Sequence, residues 1–140
     1  MKERILVSAC LLGVNCKYSG GNNYNEKVID YIKDYEVIPV CPEIMGGLST
    51  PRPPSEIIGN KIINNIGVDV TNEYTKGAEE TLKLAKLFNV KKALLKAKSP
   101  SCGNGKIYDG TFSGILTTGN GVTVNLLKDN GIEVLSEQDL

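Results

Sequence analysis

Three cysteines, each just beyond an apolar run, are the groups in this 140-residue chain best placed to do chemistry together. Cys10 follows Ile5-Leu6-Val7, Cys41 follows Val37-Ile38-Pro39-Val40, and Cys102 lies a few residues past Ala93-Leu94-Leu95. Each run reads as a buried strand. Residues just past the carboxyl ends of parallel strands gather at one edge of the sheet, where ligands bind. The chain has no histidine, so thiolates meeting there point to iron–sulfur or zinc chemistry. No pair has the Cys-x2-Cys spacing of a zinc ribbon or ferredoxin loop, so placement carries the argument. The alternative is that these are small apolar fillers, since free cysteine is among the most buried residue types. Cys16 sits within a loop rather than after a strand and is predicted to be the spare thiol.

Three further segments carry reactive or orienting groups. Glu43 stands two residues after Cys41 in a proline-flanked loop, as a general base for a metal-associated water or as a solvated loop carboxylate. Ser99-Pro100-Ser101-Cys102-Gly103 offers two hydroxyls that could bond a substrate or pass it a proton, and Gly103 allows close backbone approach. The same segment also reads as a simple hydroxyl-stabilised turn. Pro51-Arg52-Pro53-Pro54 holds Arg52 on a stiff stretch, aimed at an anion or base edge, or paired structurally with Glu56 or a carbonyl. Neither Gly-x-x-x-x-Gly-Lys-Ser/Thr nor Gly-x-Gly-x-x-Gly is present, which argues against a phosphate cradle.

The elements that would position these groups alternate in type. Strands are predicted at residues 5–8, 37–40, 90–96 and 132–135. A short helix capped by Asn25 is predicted to about residue 34, a long one over 71–88 with Tyr74, Ala78, Leu82 and Ala85 on one buried stripe, and a last one over 122–129 ended by Asn130-Gly131. A minor strand or hairpin is expected at 61–66 and a turn at Asp109-Gly110. Residues 11–23 and 41–58 read as long loops, and irregular segments of that length are usually functional. The alternation predicts one α/β domain over residues 1–140, a three-layer Rossmann-like fold with a mostly parallel sheet.

Composition sets outer limits. Lys+Arg 16 balances Asp+Glu 16, so no global charge draws the chain to nucleic acid or anionic membrane. Without histidine, proton chemistry falls to carboxylates, hydroxyls, Lys, Tyr or a metal-bound water. Val7-Ser8-Ala9-Cys10 resembles a lipoprotein cleavage site, but only Ile5 and Leu6 separate it from Lys2 and Arg4, far short of the roughly 7–15 apolar residues of a signal core. No run approaches the ~20 apolar residues of a membrane span. A reducing, cytoplasmic setting is expected, where clustered cysteines are more often metal-binding or catalytic than disulfide-linked.

Taken together, the blocks Ile5-Leu6-Val7-Ser8-Ala9-Cys10-Leu11-Leu12-Gly13, Cys41-Pro42-Glu43 with Gly46-Gly47-Leu48 and Pro51-Arg52-Pro53-Pro54, Ser99-Pro100-Ser101-Cys102-Gly103, and Ile107-Tyr108-Asp109-Gly110-Thr111-Phe112 resemble a bacterial family. That family was long labelled a domain of unknown function and includes the thiouracil desulfurases. The resemblance spans nearly the whole chain. It implies an oxygen-sensitive [4Fe–4S] cluster on three cysteines with one iron open, where water replaces the sulfur of a thiolated pyrimidine without net redox change. Carried onto this chain, the ligands would be Cys10, Cys41 and Cys102, the acid/base Glu43, and the serine Ser99 or its neighbour Ser101. Tyr18, Gly47, Arg52 and Gly103 are the candidate substrate contacts. Cys16 matches a position that is not always cysteine in the family. Lys17-Tyr18-Ser19 stands where relatives often have Arg first and Asp third, and the stretch 59–70 is short. Both departures bear on substrate identity more than on cluster binding.

The expected partner is thus a small thiolated nucleobase, with no stable nucleic-acid complex and no membrane. Two other readings use the same residues: an iron–sulfur or metal-binding sulfur carrier or sensor without turnover, and a plain α/β domain with buried cysteines.

Overall fold

In the computed structural model, which describes residues 2–140, the central strand is β1 (Glu3–Ser8), whose Ile5, Leu6 and Val7 are wholly buried. It pairs in parallel with β2 (Tyr35–Val40) on one side and β5 (Lys92–Leu95) on the other, and β5 pairs in parallel with β8 (Glu133–Ser136). The order is β2-β1-β5-β8. A continuous apolar run suits a strand covered on both faces, and the side chains divide with period two. Leu6, Ala93, Leu95 and Val134 pack towards Ala85 of α3 (Thr71–Leu87) and Val124 and Leu127 of α4 (Val122–Asp129). Ile5, Val7 and Leu94 face the other way, onto Leu11 and Val28 of α1 (Glu26–Tyr31). Helices therefore cover both faces of a parallel sheet, as the alternation predicts.

Local chemistry sets the boundaries. The Asn25 side chain accepts the backbone N–H groups of Lys27 and Val28 and starts α1, which ends at Tyr31 rather than near residue 34. A 3-10 turn, Ile32–Asp34, tightens the chain there, because β2 begins at once. Gly131, at φ 78°, closes α4 in the left-handed conformation that a residue without Cβ adopts readily.

The segment 41–58 is not one loop. It contains α2 (Pro42–Met45), begun by Cys41 with Pro42 in its first turn, and β3 (Ser55–Ile58), which forms a hairpin with β4 (Lys61–Asn64). The expected turn at Asp109-Gly110 belongs to a second hairpin, β6 (Lys106–Tyr108) with β7 (Leu116–Thr118), and β7 is an addition to the predicted elements.

What seats α2 is backbone contact with α3. A Cβ at Gly46 would lie 1.9 Å from the Glu73 carbonyl oxygen, and one at Gly77 would lie 1.9 Å from that of Pro42. Neither position accepts a side chain without parting the two helices. Among the described residues, no helix is long and apolar enough to cross a membrane. Gly77→Ala should overpack this contact and cost about 1–3 kcal/mol, read as a lower urea midpoint. An unchanged midpoint would show that α2 yields easily.

Candidate functional site

The strand order makes one crevice. The chain leaves β1 for β2 on one side, then crosses back to β5 on the other, so a switch point lies beside β1, where ligands bind in open α/β sheets. A cavity of about 500 Å³ opens there. Its wall includes all four cysteines together with Glu43 and Ser99.

Each thiol is held by its own loop. Cys10 lies in the 3-10 turn Ala9–Leu12 directly after β1, and its carbonyl accepts the N–H groups of Gly13 and Asn23. Cys41 caps α2 at the end of β2. Cys102 sits in a loop pinned by the start of α4: the N–H groups of Gly121, Val122 and Thr123 donate to the carbonyls of Gly103, Pro100 and Ser101. Cys16 is not apart from the others. Its thiol lies close enough to those of Cys10 and Cys41 to shift their titration, and its carbonyl accepts the Cys41 thiol at 3.9 Å and Arg52 Nη2 at 2.9 Å. The expectation of a spare thiol rests on its loop position, which says nothing about where the loop folds back.

Those contacts divide the thiols electrostatically. The hydrogen bond from Cys16 lowers Cys10 to about 7 against burial, with Asn23 helping. The same partner lowers Cys41 to about 6, again against burial and with help from the Ile44 N–H. Cys16 is pushed up, first by its hydrogen bonds to Cys10 and Cys41 and then by burial. Burial pushes Cys102 up to about 12.

Glu43 is clamped on one oxygen. Tyr74 Oη donates to Oε1 at 2.5 Å and Arg52 Nε donates to the same atom at 3.3 Å. The guanidinium also donates to the Ser49 carbonyl and Thr50 Oγ1, so four of its five donors serve the protein. Arg52 is 8% exposed. It ties the Cys16 loop to Glu43, and Glu56, its expected acidic partner, instead accepts the N–H groups of Gly110 and Phe112.

The two serines separate cleanly. Ser99 lines the cavity, and its Oγ accepts the Cys102 N–H at 2.7 Å, leaving its own proton free to donate. It is both the turn-former and a group facing the cavity. Ser101 is wholly buried outside the cavity wall, bonded to Thr123 Oγ1 at 2.8 Å and accepting the Cys102 thiol at 3.5 Å. Tyr18 and Arg52 line the cavity, whereas Gly47 and Gly103 do not. A Cβ at Gly103 would stand 2.7 Å from the Ser99 carbonyl oxygen, so that glycine serves the folding of the loop. Sequence reasoning passed over Tyr74, Phe112 and Lys96, which also line the cavity. For Tyr74 the signal was a hydroxyl on an otherwise apolar helical stripe, since buried tyrosines usually find a partner for it.

The donor set fits a cluster better than a lone ion. Among the described residues, no three His, Cys, Asp or Glu side chains are arranged to hold a single metal ion. Tetrahedral zinc needs its sulfurs at about 2.3 Å from one centre. A polynuclear cluster instead takes each thiolate at a different iron, so its ligands stand further apart, and cysteine thiolates are its usual ligands.

Depressed thiol pKa values mean thiolate persists to lower pH than the ordinary 9.0. In metal-free protein, iodoacetamide should label Cys41 and Cys10 at neutral pH, with rates falling as pH drops through about 6 and about 7 respectively. Cys16 and Cys102 should stay largely unlabelled. Peptide mapping by mass spectrometry checks this, and equal labelling of all four at pH 7 would contradict it.

Comparison with known proteins agrees with this geometry. The Bacillus subtilis (strain 168) protein YbbK is 47% identical over 146 residues, covering 97% of each chain. A solved structure of the [4Fe–4S]-dependent thiouracil desulfidase TudS superposes with a TM-score of 0.93 at 44% identity, over 99% of this chain and 93% of that one. The family model described as 2-thiouracil desulfurase matches residues 5–139. With nearly its whole length matched, the chain belongs to the 2-thiouracil desulfurase family.

Proposed function

We propose that this protein is a [4Fe–4S]-dependent enzyme that removes sulfur from a thiouracil-like pyrimidine. The thiocarbonyl becomes a carbonyl: water supplies the incoming oxygen, and both of its protons depart with the sulfur as hydrogen sulfide. The exchange involves no net oxidation or reduction. The observation that carries the reading is the gathering of thiols from three strand ends around one cavity with a clamped carboxylate and a free hydroxyl in its wall. Family membership and the likeness to the thiouracil desulfidase TudS support the same reaction.

Cys10, Cys41 and Cys102 are the proposed ligands, since each follows a different parallel strand. Held by these three thiolates, a four-iron cluster would supply one open iron as a Lewis acid, soft enough to suit a thiocarbonyl sulfur. Every other task falls to the chain. Glu43 takes the proton from the attacking water, through the carboxylate oxygen that Tyr74 and Arg52 leave free. Ser99 donates its hydroxyl proton to orient that water or the ring. Tyr18, 45% exposed, stands in the cavity wall as an aromatic contact for the base. Ser101 supports the Cys102 sulfur from below rather than touching substrate. The cytoplasm is the expected compartment, because it keeps thiols reduced.

Anaerobic purification or reconstitution should give a brown protein with about four irons and four sulfides per chain. It should release sulfide from thiouracil over many turnovers. Glu43→Ala should cut turnover by about 10²–10⁴-fold, the usual reach of acid–base help, with iron content unchanged. One zinc per chain and no iron would sink the proposal. Sulfide retained after a single turnover would point to a carrier.

A further inference from the structure

The Glu43 carboxylate is held at one oxygen only, and one of the two groups that hold it belongs to another helix. Both protein donors to its carboxylate converge on Oε1: Tyr74 Oη at 2.5 Å and Arg52 Nε at 3.3 Å. Among the described residues, no protein group donates to Oε2. The Glu43 side chain is 19% exposed, against 5% for Arg52, so what remains open of the carboxylate faces the cavity. A carboxylate free to rotate would present either oxygen, at changing depth. One pinned at Oε1 presents a fixed atom at a fixed place.

We infer that Tyr74 is the positioning residue for the reaction: its phenol, fixed by α3, holds Glu43 Oε1 so that Oε2 alone meets the water. Packing does not call for a hydroxyl there. Tyr74 is 2% exposed, and its ring packs with Ile62 and Val70, so an apolar residue would serve that contact equally well. Ser55 lies close enough to the phenol to oppose, in part, the rise in its titration. Burial, then the charge of Glu43, pushes the phenol's titration well above its ordinary range, so the group remains a donor throughout the working pH range. The backbone contacts at Gly46 and Gly77 fix α2 against α3, one turn of helix from Tyr74. This keeps the phenol and the carboxylate within bonding distance.

The inference rests on Glu43 as the general base, and two variants separate the failure of one from that of the other. Tyr74→Phe keeps the ring and removes only the donor. A misplaced reacting group can cost on the order of 10²-fold, so kcat should fall by about that factor with KM within about twofold, since ground-state binding is untouched. Iron content, the visible spectrum and the melting temperature should match the parent protein. Replacing the tyrosine with 4-aminophenylalanine returns an N–H donor at the same point and should recover most of the lost kcat. A simple structural role would move stability or iron loading and would not split kcat from KM. If Glu43→Gln is inactive while Tyr74→Phe turns over within twofold of the parent, the base stands and the role of Tyr74 is overturned. If Glu43→Gln keeps full activity, both fall. Should Tyr74→Phe fail to fold, the 4-aminophenylalanine variant decides: iron loading with kcat close to the parent supports the role, and iron loading without turnover overturns it.

Discussion

The position of β1 between β2 and β5 is the constraint on which this site depends. Because the chain runs to one side of its first strand and then to the other, the loops after three parallel strands must leave the same edge. Thiols separated by tens of residues in sequence then share a wall without any local metal-binding motif. Ile5, Leu6, Val7 and Ser8 of that strand are buried, so the floor of the cavity is packed core. The sheet supplies convergence, and the loops need supply only reach.

Convergence brings the groups near one another, and a second layer of polar contacts orients them. Arg52 is the node of that layer, donating to the Cys16 carbonyl, the Ser49 carbonyl, Thr50 and Glu43 from an almost fully buried position. A buried guanidinium without partners is costly, and here two of the bonds that satisfy it, to Glu43 and to the Cys16 carbonyl, also join separate segments. Tyr74 adds the contribution of α3. On the other side, the N-terminus of α4 holds the Cys102 loop through four backbone bonds. The two walls are thus organised by different means, side-chain charge on one and main-chain pairing on the other.

Some of this was legible in the sequence because burial imposes a pattern. The four core strands announce themselves as apolar runs, and α3 as an apolar stripe, so the strand-end cysteines could be placed before any coordinates. What escaped lacks such a pattern. The helix α2 has only four residues and begins with proline, and β7 is exposed at every position, so neither carries a period. Cys16 joins the other thiols because its loop folds back and Arg52 bonds its carbonyl, an arrangement set by residues 36 positions away. Ser99 and Ser101 look equivalent in a string of letters. They face different surroundings because α4 docks on their loop from one side. In the sequence Tyr74 reads as a core residue, and its ring is one; its hydroxyl finds a partner 31 residues away.

The bare main-chain contact between α2 and α3 has an evolutionary corollary. Where two helices touch through glycines, no rotamers exist to absorb a change, so the carboxylate wall is poorly suited to drift. The hairpin across the cavity is the reverse: Phe112 and Leu116 are exposed, and β7 buries nothing. Of the two elements, β7 is the one whose exposed side chains can change size without parting packed helices.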